Sequence, residues 1–177
     1  MSRTTRPTHP RTRTPRPPAK LPRVVARKPR HGDVHPLSPT AIRAFLRALP
    51  AAQLEGLARI ELRARTAEVG QPFAEYRRQE RDILLYSLPP DEWWLAALDR
   101  ELTRELREAG ARIVRHRDGY SIHFEAGGMD AFLRHVLAHE IGHHVRNRIA
   151  PYPCTARTAD EEAVADLHAR RTRARLS

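Results

Sequence analysis

The chain has 177 residues, a single cysteine and a formal net charge of +11. One cysteine excludes an internal disulfide framework, and no apolar run approaches the roughly 18 residues of a membrane-spanning helix. We therefore expect a single folded domain in a reducing compartment, the cytoplasm, with neither a membrane span nor a secretory signal.

Residues 1–37 carry most of the positive charge, with ten lysine and arginine side chains against one acidic residue, Asp33. They also contain eight prolines and no aromatic residue, so they cannot bury enough apolar surface to offset chain entropy. We predict a disordered basic tail over 1–37 and a folded domain over 38–177. Such a tail can hold nucleic acid without sequence preference through phosphate contacts, or it can be solvated with no dedicated partner.

The folded domain is predicted to begin with a helix at Ser38-Pro39, because serine is a preferred N-cap and proline is favoured at the first helical position. Pro50 ends that helix. Alternating or continuous apolar runs then predict strands over 57–65, 73–77 and 82–88.

A second helix is predicted after Pro89-Pro90-Asp91, where aspartate caps its first turn. Its leucines recur at helical spacing up to the C-cap Gly110, namely Leu95, Leu98, Leu102 and Leu106. A hairpin follows, with strands over 111–117 and 120–125 joined by Asp118-Gly119, a dipeptide suited to a tight turn. These elements lead directly into the part of the chain that carries the chemistry.

The sequence H-E-I-G-H at 139–143 lies in a run whose apolar residues recur at helical spacing. Two histidines four residues apart share one face of a helix, so both imidazoles can bind one metal ion at about 2.0–2.1 Å. Glu140 lies about 100° around the helix from His139, where a carboxylate can deprotonate a water beside the ion. His135 offers a rival pair with His139. Only the pair of His139 and His143 has a glutamate between its members, and His135 is predicted to lie at the surface.

A second helix with acidic residues follows this motif, after the helix-breaking sequence at 151–153. Thr158 and Glu161 form a capping-box pattern that predicts its start. Glu162 and Asp166 are four residues apart and share a face. Catalytic zinc takes three protein ligands, and two histidines with one glutamate are a known set. Glu162 is therefore the predicted third ligand, and Asp166 is placed to hydrogen-bond a ligating imidazole.

The combination of H-E-x-x-H at 139–143 and E-x-x-A-D at 162–166 resembles the gluzincin branch of the zinc metallopeptidases. The small ImmA/IrrE-like peptidases are the nearest comparison. The resemblance covers about the last fifty residues by motif and about ninety before them by element order alone. It implies an α+β, zincin-like fold, in which a small mixed or antiparallel sheet packs on a helix that carries H-E-x-x-H and a C-terminal helix that carries the glutamate ligand.

The same resemblance implies a zinc metalloendopeptidase that hydrolyses a protein or peptide substrate through a zinc-activated water. The implied roles are zinc ligand for His139, His143 and Glu162, general base for Glu140, and hydrogen-bond partner of a ligating histidine for Asp166. Zn²⁺ is the implied cofactor. The helix-turn-helix module that often accompanies the family is missing from this sequence, so the substrate stays open.

Two further positions have alternative interpretations. Tyr152 lies between the ligand segments and is a candidate oxyanion stabiliser, or else a packing residue in a proline-rich loop. Metallopeptidases of the resembled clan have a sheet edge beside the zinc, where an extended substrate can pair as an added strand. By that likeness, residues 120–124 are a candidate substrate-binding edge. A purely structural hairpin is the alternative.

Other classes of function also stay open. One is a nucleic-acid-associated protein in which the basic tail binds and the zinc is structural. Another is an interaction protein that kept the scaffold and lost activity, although an intact Glu140 argues against it because a scaffold needs no base there. A peptidase brought to DNA-bound substrates by residues 1–37 combines the first class with the enzyme.

Overall fold

The computed structural model of the chain describes residues 20–66, 71–149 and 159–176, and within these ranges it has five helices and seven strands. The helices are α1 (Pro39–Ala48), α2 (Ala51–Leu54), α3 (Arg100–Glu108), α4 (Gly128–Ile149) and α5 (Ala159–Leu176). The strands are β1 (Arg23–Ala26), β2 (Arg59–Arg63), β3 (Ala74–Arg77), β4 (Asp82–Tyr86), β5 (Glu92–Leu95), β6 (Ala111–Arg115) and β7 (Tyr120–Phe124). The architecture is therefore α+β with small sheets, as predicted. None of the described helices is long and apolar enough to cross a bilayer.

The first sheet has the strand order β1-β2-β4-β3, with β1, β2 and β4 parallel and β3 antiparallel to β4. Alternate side chains of its two central strands are fully buried, namely Ile60, Leu62, Ile83 and Leu85. Because side chains alternate between the two faces of a strand, these residues form one apolar face. β3 is an edge strand, and it lies beside α4.

The opposite face of this sheet carries two buried carboxylates, Glu61 and Asp82, each only 1% exposed. Asp82 accepts hydrogen bonds from Arg59 and Arg77, the shortest at 2.6 and 2.7 Å. Glu61 lies 3.0 Å from the Nε atom of Arg63. Burial alone would raise the pKa of Asp82, but the hydrogen bonds from the two arginines outweigh it and hold the pKa below the usual value of 3.8. The carboxylates therefore stabilise the fold in their ionised form.

Asp82→Asn is expected to lower the free energy of unfolding at neutral pH by about 1–3 kcal/mol, because it removes charge-assisted hydrogen bonds from a buried site. Since the folded pKa of Asp82 lies below the unfolded one, its contribution is complete above pH 3.8 and is lost as the pH falls through the folded value. Denaturant unfolding between pH 7 and pH 3 measures both effects. The variant should lose less stability on acidification than the parent, whereas Asp91→Asn, at an exposed position, should behave as the parent does. Parallel pH profiles of the Asp82 variant and the parent would contradict this role.

The second sheet is antiparallel, with the order β5-β7-β6. Trp93 of β5 is buried and packs against Phe124 and Phe132, with ring centroids 4.7 and 5.6 Å apart. β7 is hydrogen-bonded on both sides, so residues 120–124 have no free edge. The prediction that they form a substrate-binding edge was wrong, because a third strand from earlier in the chain occupies the outer side of the hairpin.

That third strand also corrects the helix predicted from Asp91. Residues 92–95 form β5, and the helix begins only at Arg100, where the Asp99 carboxylate caps it by accepting a 2.7 Å hydrogen bond from the Leu102 amide. The leucine spacing is helical for part of this stretch. Burial of Trp93 and pairing with β7 override it for the first residues, because tertiary contacts outweigh weak local propensity.

The predicted tail also needs correction. Residues 23–26 form β1, which pairs in parallel with β2, and Val34 bridges to Leu88. Leu37 is 1% exposed. The fold therefore includes much of residues 20–37, since the outer edge of β2 offers hydrogen bonds and a buried surface that composition alone does not reveal. Residues 1–19 lie outside the described residues, and nonspecific nucleic-acid contact through residues 1–37 stays a prediction.

Candidate metal centre

Helices α4 and α5 approach closely where both carry small residues. Ala138 and Gly142 lie on α4, Ala165 and Ala169 lie on α5, and all four are buried. A Cβ atom added at Gly142 would lie 2.8 Å from the Cα atom of Ala165, well inside the normal carbon–carbon separation of about 3.5–4.0 Å. The missing side chain lets two helices come close enough for their polar side chains to reach one point.

Gly142→Ala is expected to destabilise the fold by about 1–3 kcal/mol, because the new methyl group meets backbone that cannot move aside freely. Helix propensity alone predicts the opposite sign, a gain of about 0.5–1 kcal/mol. Denaturant unfolding of the metal-free protein decides between the two. A stabilised variant would show that the helices do not depend on this close contact.

Three side-chain atoms from the two helices converge beside this contact. The Nε2 atoms of His139 and His143 are 3.0 Å apart, and Oε2 of Glu162 lies 3.2 Å from the first and 3.4 Å from the second. A tetrahedral ion with ligands at about 2.0–2.1 Å holds neighbouring ligand atoms about 3.3 Å apart. The spacing of the two nitrogens and the oxygen therefore fits one small cation.

Asp166 orients one of these imidazoles. Its Oδ1 atom lies 2.7 Å from Nδ1 of His139, and because an ionised carboxylate only accepts, Nδ1 carries the proton and Nε2 keeps a free lone pair. Burial raises the pKa of Asp166, as do the charges of Glu101 and Glu105, while His139 opposes the shift. The arrangement leaves the His139 nitrogen that faces Glu162 able to bind a cation.

Glu140 is also at this centre, although it approaches from the side of the first sheet. Its carboxylate is 3% exposed and accepts a 2.6 Å hydrogen bond from the backbone amide of Tyr76 in β3. Together with the imidazoles of His139 and His143 it forms a group whose possible ligand atoms all lie within 4.8 Å of one another. A carboxylate thus lies beside the two imidazoles and is held by an edge strand.

Tyr76 belongs to a buried chain of hydrogen bonds that ties β3 to α4. Nε2 of His144 lies 3.0 Å from the carbonyl oxygen of Glu55, so it donates there, and Nδ1 accepts from the Tyr76 hydroxyl at 3.2 Å. Asn147 donates to the same hydroxyl at 3.3 Å. Burial lowers the pKa of His144, which favours the neutral ring that this chain of bonds needs. Sequence reasoning missed Tyr76, because only the packing of β3 on α4 reveals its contact with Glu140.

The structure thus brings together the predicted residues His139, Glu140, His143, Glu162 and Asp166 from two helices. Tyr152 lies outside the described residues. His135 was predicted to lie at the surface, and this was wrong, because α3 covers it and leaves it 8% exposed.

Comparison of the chain with protein-family models, with curated proteins and with solved structures gives no match.

Proposed function

We propose that this chain is a zinc-dependent metallopeptidase of the gluzincin type, with a zincin-like fold. The observation that carries the proposal is the convergence of the Nε2 atoms of His139 and His143 with Oε2 of Glu162, all within 3.0 to 3.4 Å of one another. Two imidazoles and one carboxylate are a known ligand set of catalytic zinc. Both nitrogens and the oxygen come from residues that the H-E-x-x-H and E-x-x-A-D motifs singled out.

Each residue of the centre then has a specific task. When bound, the ion polarises the substrate carbonyl and lowers the pKa of water to about 7. Asp166 keeps the His139 ring in the tautomer that presents Nε2. Glu140 takes the proton of the attacking water and returns it to the departing amine, a contribution of about 10²–10⁴ in rate. The reaction class is hydrolysis of a peptide bond.

The substrate is proposed to bind along β3 rather than along β7. Among the described strands, β4 is the only partner of β3, so one side of β3 is not paired within a sheet. The amide of Tyr76 on that side is the group that Glu140 contacts at 2.6 Å. An extended peptide that adds to this edge brings its backbone next to Glu140 and the two imidazoles, as in other cases of strand addition.

The test of the proposal is a cleavage assay with the full chain. Purified protein loaded with one equivalent of Zn²⁺ is incubated with a mixture of unstructured peptides, and the products are identified by mass spectrometry. Cleavage should stop when a chelator removes the metal and resume when Zn²⁺ is added back. Absence of cleavage in the zinc-loaded sample, or cleavage that the chelator leaves unchanged, would contradict the proposal.

A further inference from the structure

A cavity of about 320 Å³ opens beside the candidate metal centre, between α3, α4 and α5. His139 and Glu162, two of the proposed ligands, form part of its wall, so whatever fills it lies next to the reacting bond. Its volume is at the lower end of the range of about 300–1,000 Å³ that small-molecule pockets occupy. The cavity therefore suits one side chain rather than a large ligand.

The polar wall of this cavity is acidic. Glu101, Glu105 and Asp166 each contribute a carboxylate oxygen to a group whose members lie within 4.8 Å of one another. Asp99 and Glu162 add two further carboxylates, and no lysine or arginine is among the described residues that line the cavity. Arg104 pairs with Glu101 at 2.7 Å but is not part of the wall. The cavity thus concentrates negative charge without an equal number of cations.

His135 provides a second, independent sign that the cavity takes a ligand. The residue is 8% exposed and lines the same cavity, with its Nε2 atom 3.2 Å from Oε1 of Glu105. Since the Glu105 carboxylate only accepts, Nε2 donates to it, and Nδ1 has no hydrogen-bond partner within the described part of the chain. Buried polar groups normally have a hydrogen-bond partner in the complete functional state. An imidazole in this condition marks a place where a bound group would supply the missing partner.

We propose that this cavity is a specificity pocket for the cationic side chain of a substrate residue next to the scissile bond, with arginine favoured over lysine. The proposal rests on the proposed peptidase function and names its substrate class, a basic peptide. A guanidinium group offers five donors in a planar fork, which can contact Glu105 and Asp166 together. An ammonium group is a single point charge and matches two carboxylates less well.

The apolar part of the cavity lining explains why a side chain, and not a second metal ion, is the expected occupant. Phe73, Phe132 and Val136 line it with apolar surface. The methylene stem of arginine or lysine buries against such a surface while its charged head reaches the carboxylates, and a guanidinium can also stack on an aromatic ring. A metal site needs converging oxygens but no apolar wall of this extent.

The first measurement uses matched peptides that differ only by arginine or citrulline at one position next to the cleavage site. Citrulline has the shape of arginine without its charge. Zinc-loaded full-length protein should cleave the arginine peptide with a kcat/KM at least about ten-fold higher. Glu105→Gln should reduce the ratio of the two kcat/KM values, arginine peptide over citrulline peptide, to below about three-fold. Glu101→Gln, a second variant at a more exposed position, should have the same effect. Glu108→Gln on the same helix does not line the cavity and should keep the ratio.

The second measurement does not depend on hydrolysis. Nα-acetyl-arginine amide, titrated calorimetrically into the zinc-loaded protein, should bind at one site, and its citrulline counterpart should not. Glu105→Gln should abolish this binding and Glu108→Gln should keep it. Selective binding without cleavage of any peptide supports the pocket and contradicts the peptidase. Cleavage without preference for arginine, together with no binding of the amide, overturns the pocket and leaves the peptidase standing. A third outcome is that Ca²⁺ or a second equivalent of Zn²⁺ binds to the parent, fails to bind to Glu105→Gln and prevents the amide from binding. That outcome overturns the assignment of the cavity to a side chain.

Discussion

Replacing Glu140 with glutamine is expected to lower peptide hydrolysis by a factor of at least about 10²–10⁴, while zinc binding and the fold are retained. Glutamine has nearly the same shape as glutamate, and its carbonyl oxygen can still accept the hydrogen bond from the Tyr76 amide. It cannot take a proton from water at neutral pH. Turnover of a cleaved peptide, zinc content by elemental analysis and the thermal unfolding midpoint measure the three parts of the prediction.

A matched control distinguishes the loss of the Glu140 carboxylate from the loss of a carboxylate elsewhere in the protein. Glu92→Gln changes a carboxylate in β5 that is 51% exposed and lies 3.7 Å from Nε2 of His123, outside the centre and outside β3. That variant should cleave at a rate close to the parent. If Glu140→Gln cleaves as fast as the parent, the proton is handled by another group and the proposed role of this carboxylate is wrong. If the variant loses zinc, the loss of turnover says nothing specific about proton transfer, and the expected retention of metal is itself contradicted.

Removing a proposed ligand is the second large effect. His143→Ala and Glu162→Ala are each expected to purify with far less than one equivalent of zinc, because two remaining side chains cannot complete the set of three that holds catalytic zinc. Glu162 is informative because its side chain is 40% exposed, so its truncation should leave the fold intact. Elemental analysis beside circular dichroism checks metal content and folding in the same samples.

His116→Ala is the control for the ligand variants, since that imidazole lies between β6 and β7, contacts Ser121 at 2.6 Å and is not a proposed ligand. It should keep a full equivalent of zinc. Asp166→Asn should bind zinc about 10–100-fold more weakly without losing the site, because it weakens the orientation of His139 and provides no ligand. Zinc that is lost with His143→Ala but retained with Glu162→Ala would point to a different third ligand.

The hydrogen bond between Glu140, the proposed base on α4, and the edge strand β3 connects these experiments to substrate binding. In the free protein, Oε2 of Glu140 accepts a hydrogen bond from the backbone amide of Tyr76, the same amide that an added peptide strand would use. If a peptide pairs with β3 as proposed, the peptide and Glu140 would compete for this one donor. A peptide that pairs with β3 would release the carboxylate at the moment when a proton acceptor is needed beside the scissile bond.

Local patterns in the chain were sufficient to predict several elements and the pairs of side chains that each helix brings to the centre. A helix places residues i and i+4 on one face whatever surrounds it, so the pairing of His139 with His143 and of Glu162 with Asp166 follows from spacing alone. The predicted hairpin around Asp118-Gly119 was confirmed. It could be predicted because its turn and its two strands are neighbours in sequence. α5 begins at Ala159 within the described residues, and the predicted capping residue Thr158 lies outside them.

Contacts between distant segments could not be predicted in this way. Pairing with strands elsewhere in the chain determines β1, β5 and the central position of β7. The spacing of apolar residues along one segment does not identify the strand with which it will pair. The contact of Tyr76 with Glu140 spans 64 residues, and the burial of His135 depends on α3. The chain's own pattern thus determined which side chains share a helix face. Only the tertiary structure decided which faces meet, because packing at Gly142 and Ala165 brings α4 and α5 close enough for three donor atoms to converge.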